Sequence, residues 1–365
     1  MELLNDLGGY QEAFGAEDIS SPAMKRAVGS WFDLYYDRTA LMQLPYTIVR
    51  KLVCGMFAEY EASGSAVENL PERNAMELAL IGGECYLKPV MLEGKWHWRA
   101  IPRGSILVFA RDWHGQPTDV GLMEKTRKGR FYYTLLERRS LDSRGYLTVT
   151  NRLFRSADRG QLGREVKLSE QPLYKQLPSR YTYPMVLDGV GLVRLKLPMA
   201  NCIDGSREGV SIYAAAMPLM AAIEENERLL QQEFRHGKSR LVVSRDMLRD
   251  GQLKDELFVG LDESPENVGI TQFAPQLRTQ SFLERQQSYL KLVENVIGLK
   301  RGILSQVEAV DRTATEVTSS EGEYKCLLVD LQKCFETAAA ECAALAGKLE
   351  GNAQPAEIRW GDGVV

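Results

Sequence analysis

Residues 211–236, SIYAAAMPLMAAIEENERLLQQEFRH, and residues 276–299, QLRTQSFLERQQSYLKLVENVIGL, decide how this chain is built. Both read as helices. In the second, Leu283, Leu290, Val293 and Ile297 recur at helical spacing as an apolar stripe. In the first, Pro218 either kinks the helix or marks its true first turn, and Gly237 is a natural stop. Each helix should be roughly 37 Å long. Between them, 239–244, 257–260 and 269–273 are short strand-like runs. The pattern predicts an antiparallel helical stalk with a small α/β cap at its far end. A loop at 302–311 then leads into a helix over 313–349, roughly 55 Å long. Projecting elements of this kind suit ring assemblies better than single compact enzymes.

Working outward, Ser21-Pro22 reads as a helix N-cap followed by proline at the first helical position. Met24, Val28, Trp31 and Phe32 follow at helical spacing. Second and third helices are expected over 46–60, with Ile48, Leu52 and Met56 on one face, and over 71–81. From Gly83 to Leu168 the pattern changes to short alternating runs between turn residues: 85–90, 96–101, 105–109, 129–137 and 145–154. Aromatic and β-branched residues bounded by Gly, Pro and Asp signal an antiparallel, hairpin-rich sheet. The last stretch, 351–365, looks short and irregular. The fold class is α+β.

The chain has 365 residues, enough for two or three domains or one elaborated body. Hydrophobic residues make up 44% and charged residues 26%, which excludes wholesale disorder and coiled-coil fibre. No run approaches the roughly 18 to 20 apolar residues of a membrane span. Met1-Glu2-Leu3-Leu4-Asn5-Asp6 has neither a basic nor an apolar region, so no signal peptide is expected. The six cysteines (54, 85, 202, 326, 334 and 342) form no CxxC pair. Cys326, Cys334 and Cys342 read as buried or half-buried small hydrophobes in a reducing compartment. With only His97, His114 and His236, no metal site is expected.

The net charge of −4 argues at first against a nucleic-acid partner. It conceals a segregation. Residues 101–180 carry sixteen Lys/Arg against eight Asp/Glu, an excess of +8 that leaves −12 for the rest.

Two glycine-rich stretches, Ile81-Gly82-Gly83-Glu84 and Asp204-Gly205-Ser206-Arg207-Glu208-Gly209, match neither GxxxxGK[ST] nor GxGxxG and read as ordinary turns. Asp311-Arg312-Thr313-Ala314-Thr315-Glu316 is a helix-start signature, with Asp311 or Thr313 capping and Glu316 closing a capping box. Asp246, Asp250, Asp255, Glu256, Asp262, Glu263 and Glu266 make 246–266 acidic. Without a histidine or lysine partner they read as a solvated or interface surface rather than a Mg²⁺ site. No nucleophile–base pair appears, so neither an enzyme nor a cofactor is expected.

With these motifs in hand, the chain resembles the portal proteins of tailed bacteriophages, of the siphophage portal or minor structural protein type. The match lies in Asp311-Arg312-Thr313-Ala314-Thr315-Glu316-Val317, which opens the long helix in that family. It is supported by Leu197-Pro198-Met199-Ala200-Asn201, by Gly209-Val210-Ser211-Ile212-Tyr213, and by the ECYLKPVM and YLTVTNRLF stretches. The resemblance covers roughly residues 30–350. It implies a ring, usually a dodecamer, around a channel for double-stranded DNA at the portal vertex of the virion, assembled in the host cytoplasm.

Mapped onto this chain, the resemblance implies an α/β wing at 1–210, stem helices at 211–236 and 276–299, and a small α/β clip at 237–275. A tunnel loop at 300–312, a long wing or spine helix at 313–350 and a short or vestigial crown at 351–365 complete it. Two departures stand out. The segment after Gly351 is far shorter than a typical crown, and Gly322 places a glycine, a potential kink, inside the long helix.

The resemblance also implies the candidate residues. Lys300 and Arg301, with Arg278, Arg285 and Lys291 on the stem, would touch DNA in the channel; the competing reading pairs the stem bases with Glu224, Glu225 or Glu227 of a neighbouring subunit. Gly302, Ile303, Leu304, Ser305 and Gln306 belong to the tunnel loop; Asp311, Thr313, Thr315 and Glu316 form the cap motif. The clip acids Asp246, Asp250, Asp255, Glu256, Asp262 and Glu263 would dock the large terminase ATPase first and a head–tail adaptor later. The basic sheet would face scaffold, major capsid protein or the adjacent subunit. A channel that lets DNA slide should hold phosphates weakly, which low net basicity suits. The alternatives are another ring-forming head–tail adaptor or a metal-dependent nucleic-acid enzyme using the 246–266 acids.

Overall fold

The computed structural model describes residues 13–187, 189–237, 240–244, 258–261, 271–273, 275–306, 314–352 and 356–361. Three helices open it: α1 (Pro22–Tyr36), α2 (Leu44–Met56) and α3 (Glu72–Gly82). The Ser21 hydroxyl accepts the Met24 amide at 3.1 Å, and Pro22 sits in the first turn, as the local sequence requires. Helix α2 begins earlier and stops sooner than its apolar spacing suggests. Pro45 seeds its first turn, and Tyr60 lies instead in a short strand, β1 (Tyr60–Ser63).

Strands β2 (Glu84–Leu92), β3 (Lys95–Pro102) and β10 (Val193–Lys196) form an antiparallel sheet in the order β10-β2-β3. A larger antiparallel sheet holds β4 (Ile106–Arg111), β5 (Pro117–Lys128), β6 (Phe131–Leu141), β7 (Tyr146–Ser156) and β8 (Arg164–Val166) in that order. Strand β9 (Arg180–Val186) also pairs with β7. The outer edge of β4 is covered: the Ile19 amide donates to the Val108 carbonyl at 2.8 Å. Strand β5 is central, although its mixed composition gives no clean alternation.

Helix α4 (Met217–His236) follows a 3₁₀ turn at Ala214–Ala216. Pro218 lies in its first turn and does not kink it, because the helix begins where the missing N–H costs nothing. Three short strands follow: β11 (Arg240–Ser244), β12 (Phe258–Leu261) and β13 (Thr271–Phe273). They are ordered β12-β11-β13, with β11 parallel to β12 and antiparallel to β13. Helix α5 (Thr279–Ile297) and the 37-residue helix α6 (Ala314–Glu350) complete the helical part.

One hydrophobic core joins these parts. Trp31, Ile48, Leu80, Leu195, Tyr213, Val293 and Leu331 all belong to it, so the first helices, the small sheet, the start of α4, the end of α5 and the body of α6 share one interior.

Three expectations are corrected. Residues 357–360, expected to be irregular, form β14 (Glu357–Trp360), antiparallel to β1, with Tyr60 opposite Trp360. The signal was weak because the strand is stabilised by a remote aromatic cluster of Phe57, Tyr60, Phe335 and Trp360. Of the three C-terminal cysteines only Cys342 is buried; Cys334 is half-buried and Cys326 exposed, since a spacing of eight drifts around the helix. Leu283, assigned to the α5 stripe, is 42% exposed, whereas Leu290, Val293 and Ile297 are buried.

Candidate functional site

The two stalk helices pair antiparallel through polar as well as apolar contacts. At the end nearest the β insertion, the Arg278 guanidinium donates to both Glu233 carboxylate oxygens, at 3.2 and 2.7 Å, and the Arg278 amide donates to Glu233 at 3.0 Å. These hydrogen bonds hold the Glu233 carboxyl down at about 2. Further along, the Asn226 amide donates to the Phe282 carbonyl at 3.0 Å, and Gln286 donates to Glu227 at 3.2 Å. Beyond these, Ile223, Leu290 and Val293 are buried in the shared core.

Helix α5 ends in a Schellman arrangement. Gly298 adopts φ +83°, its amide donates to Asn295 O at 3.3 Å, and the Leu299 amide donates to Glu294 O at 2.8 Å. The chain then turns through residues 300–306 under the control of one side chain. Fully buried Glu294 accepts three loop amides on Oε1, from Gly302 (3.1 Å), Leu304 (2.6 Å) and Ser305 (2.9 Å). Its Oε2 accepts the Ser305 hydroxyl at 2.7 Å. Gln287 accepts the Gln306 amide at 2.7 Å. Lys300 bridges to Glu321 of α6 at 2.6 Å, and that hydrogen bond lowers the Glu321 carboxyl. The first half of the loop is therefore a shaped element.

The lead-in to α4 is fixed by a buried ionic cluster. Glu84 on β2 is fully buried; it forms ion pairs with Arg194 and with Arg103 (3.2 Å) and accepts the Tyr86 hydroxyl (3.1 Å) and the Gly209 amide (3.0 Å). Burial alone would raise its carboxyl, but Arg194 and Arg103 hold it at about 2. Arg103 also reaches Ser20 (2.7 Å) and Glu208 (3.3 Å), and Arg111 binds Glu208 at 3.1 Å. The two glycine-rich stretches pack on each other here. A Cβ on Gly83 (φ +80°) would lie 2.2 Å from Val210 N, and one on Gly209 would lie 2.3 Å from Gly83 O. The second is a turn, as expected; the first is instead the end of α3, with Gly83 as its left-handed cap and Glu84 opening β2, and the glycines of both serve close backbone approach. Leu80 O then accepts the Ile212 amide (3.0 Å) and the Ser211 hydroxyl (3.1 Å), bolting the lead-in to α3.

Of the channel candidates, Arg278 binds Glu233 while staying 72% exposed, and Arg285 donates to the Tyr289 hydroxyl one turn further along the same helix at 2.9 and 3.1 Å. Lys291 is half-buried and Arg301 exposed. The acids named as partners bond within the chain: Glu224 accepts the Leu41 and Met42 amides, Glu225 pairs with Arg228, and Glu227 accepts Gln286. Gly302, Ile303, Leu304, Ser305 and Gln306 lie together in the turn that Glu294 holds. Asp311 and Thr313 fall outside the described residues, as do Asp246, Asp250, Asp255, Glu256, Asp262 and Glu263. Thr315 and Glu316 lie in the first turn of α6. Sequence reasoning passed over Glu294 and Glu84. The signal for Glu294 was its place beside Leu290, Val293 and Ile297, an acid inside an apolar stripe.

Among the described residues, no group of three or more His, Cys, Asp or Glu is placed to hold a metal ion. No helix there is long and apolar enough to cross a membrane.

No family model matches the sequence, and no curated protein does. Among solved structures, the fold is similar to that of a chain from the "Neck of native GTA particle computed with C12 symmetry". The TM-score is 0.52 and the identity 11%, over 97% of this chain and 89% of that one. The likeness is one of fold.

Proposed function

We propose that the chain is the subunit of a ring in the neck of a tailed, phage-like particle, and that the ring is the portal through which double-stranded DNA is packaged and released. The observation that carries this reading is the stalk. Antiparallel helices α4 and α5 bracket a β insertion, and a shaped turn at 300–306 leads into a 37-residue helix. This order supports the resemblance noted in the sequence, and a fold shared with a C12-symmetric neck over nearly the whole chain supports it independently.

In this reading α4 and α5 are the stem, 237–275 the clip, 300–312 the channel-facing loop, and α6 the spine. The wing is the body of 1–210, into whose core α6 also packs. Exposed Arg301 is the strongest channel candidate. Lys300, tied to Glu321, sets the loop against the spine. Self-association into a ring, a terminase ATPase and a head–tail adaptor at the clip, and capsid or scaffold at the wing are the partners proposed.

Native mass spectrometry of the purified protein tests the ring: a single species at an integer multiple of 41.0 kDa is expected. A monomer at high concentration, with or without scaffold, would overturn the reading. In the producing cell, Arg301→Glu should leave ring formation intact and cut the DNA content of particles at least tenfold. Normally filled particles would remove the loop from the channel.

A further inference from the structure

The two ends of the large sheet differ in kind. At one end, Leu147 and Leu187 pack with Leu345 and Leu349 of α6. At the other, β5 passes to β6 through the exposed turn Lys128-Gly129-Arg130, and β6 is long enough to carry this tip roughly 35 Å from the helical end. Register brings neighbouring strands to the same place: Lys128 faces Phe131, Tyr133 faces Arg155, and Arg155 faces Arg164.

Six exposed bases collect there: Arg127, Lys128, Arg130, Arg159, Arg164 and Lys167. The acids beside them are engaged. Glu165 is taken by Arg152 (2.6 Å), Glu170 by Arg155 (2.9 Å), and an Asp158 oxygen accepts the Gly160 amide (2.9 Å). Lys128 also donates to the Glu170 carbonyl at 3.2 Å. Two guanidinium planes lie over rings, Arg127 over Tyr132 at 5.6 Å and Arg130 over Phe131 at 4.9 Å. Stacking restricts those planes; Arg127 spends its Nε hydrogen on the Gly129 carbonyl at 3.1 Å, which leaves its terminal N–H groups and the Arg130 edge for planar oxyanions.

The tip is poor in what a protein partner needs. Protein interfaces concentrate their energy in buried aromatic or aliphatic anchors. Among the described residues, no large hydrophobic side chain is exposed from 114 to 172; at the margin of the tip stands exposed Leu173, next to Tyr174, which packs with Phe131 and Val166. A polar, strongly basic surface with its apolar exposure confined to that margin is the composition of an interface with a phosphate backbone.

We propose that this tip binds double-stranded DNA through its phosphates, without reading sequence, at a surface separate from the 300–306 loop. It rests on the reading of the chain as a DNA-conducting ring and adds a second contact, for duplex lying against the outside of the ring. The probe is a relaxed, covalently closed DNA minicircle, which cannot thread a channel. Binding is followed by fluorescence anisotropy with the full chain between about 50 and 200 mM salt.

Wild type should bind with a steep salt dependence. Arg127→Glu/Arg130→Glu/Arg164→Glu should lose at least tenfold in affinity and flatten the log–log slope by about 2.7, some 0.9 per lost phosphate contact. All three positions are exposed, and an unchanged thermal melt verifies the fold. Arg301→Glu should leave minicircle binding unchanged. Equal binding by wild type and the triple variant, or no binding by wild type, overturns the proposal. So does displacement of the minicircle by polyglutamate at equal charge concentration, which would make the tip a site for acidic protein. Native mass spectrometry reports the ring separately, so failure of the portal reading and failure of this inference give different results.

Discussion

Glu294 and Ser305 are joined twice: the Ser305 amide donates to Glu294 Oε1 at 2.9 Å and its hydroxyl to Oε2 at 2.7 Å. With the amides of Gly302 and Leu304 on the same carboxylate, one buried side chain of α5 fixes the path of the loop that follows it. A mobile loop would need no such acceptor. In a ring, this arrangement would present the same loop surface from every subunit.

Removing that acceptor should therefore loosen the loop. Glu294→Ala leaves buried donors unpaired and should cost on the order of 3 kcal/mol in urea unfolding. Glu294→Gln, with one acceptor oxygen for four donors, should cost less. Hydrogen exchange at Gly302, Leu304 and Ser305 should accelerate at least tenfold in both. Unchanged protection at those amides would show that the carboxylate does not hold the loop.

The lead-in to α4 depends on glycines with no room for a side chain. Gly83→Ala and Gly209→Ala would each drive a Cβ into backbone atoms, costing about 2–4 kcal/mol. Gly205, also at positive φ but with nothing near its missing Cβ, should lose only about 1 kcal/mol on Gly205→Ala. Denaturation midpoints of the three variants decide; equal losses would sink the close-approach argument.

Two buried carboxyls give the protein an acid limb. Arg194 and Arg103 hold Glu84, and Arg139 and Lys88 hold Glu137, at about 2 against an ordinary 4.5, despite burial that would raise both. A carboxyl depressed in the fold stabilises it above the ordinary value and loses that contribution as pH falls toward the folded value. Stability should decline between about pH 4.5 and 2, by on the order of 3 kcal/mol per group. Glu84→Gln should be less stable at neutral pH and shallower over that window. A parallel acid limb in the variant would contradict the assignment.

The C-terminal strand should matter to stability out of proportion to its length. Trp360 meets Tyr60 with ring centroids 5.0 Å apart and packs near Phe57 and Phe335. Trp360→Ala should cost about 2 kcal/mol. Trp113→Ala, at an 83% exposed position, should change stability by less than about 0.5 kcal/mol. Thermal melts of the pair test the contrast, and a neutral Trp360→Ala would place β14 outside the core.

Most of the architecture was legible because it is written locally. The Ser21-Pro22 start, the stripe at Leu290, Val293 and Ile297, and the glycine after α4 are readings of spacing and capping alone. What stayed hidden depends on partners remote in sequence. Tyr60 needs Trp360 to become a strand, and Glu84 looks like any strand-start acid until Arg103, Arg194 and Gly209 converge on it. Glu294 was half legible: an acid within an apolar stripe marks a buried demand without saying what meets it. The +8 segment was visible in the sequence, but only strand register gathers six of its bases at one tip. The acids of 246–266 named in the sequence, Asp246, Asp250, Asp255, Glu256, Asp262 and Glu263, lie outside the described residues.

The most direct test of the central claim is electron microscopy of the purified protein at a resolution that traces the chain. The expected result is a closed ring with a central hole wide enough for duplex DNA, α4 and α5 lining its wall, and residues 300–306 at the constriction. A compact monomer, or a ring that carries 300–306 on its outer rim, would contradict the account.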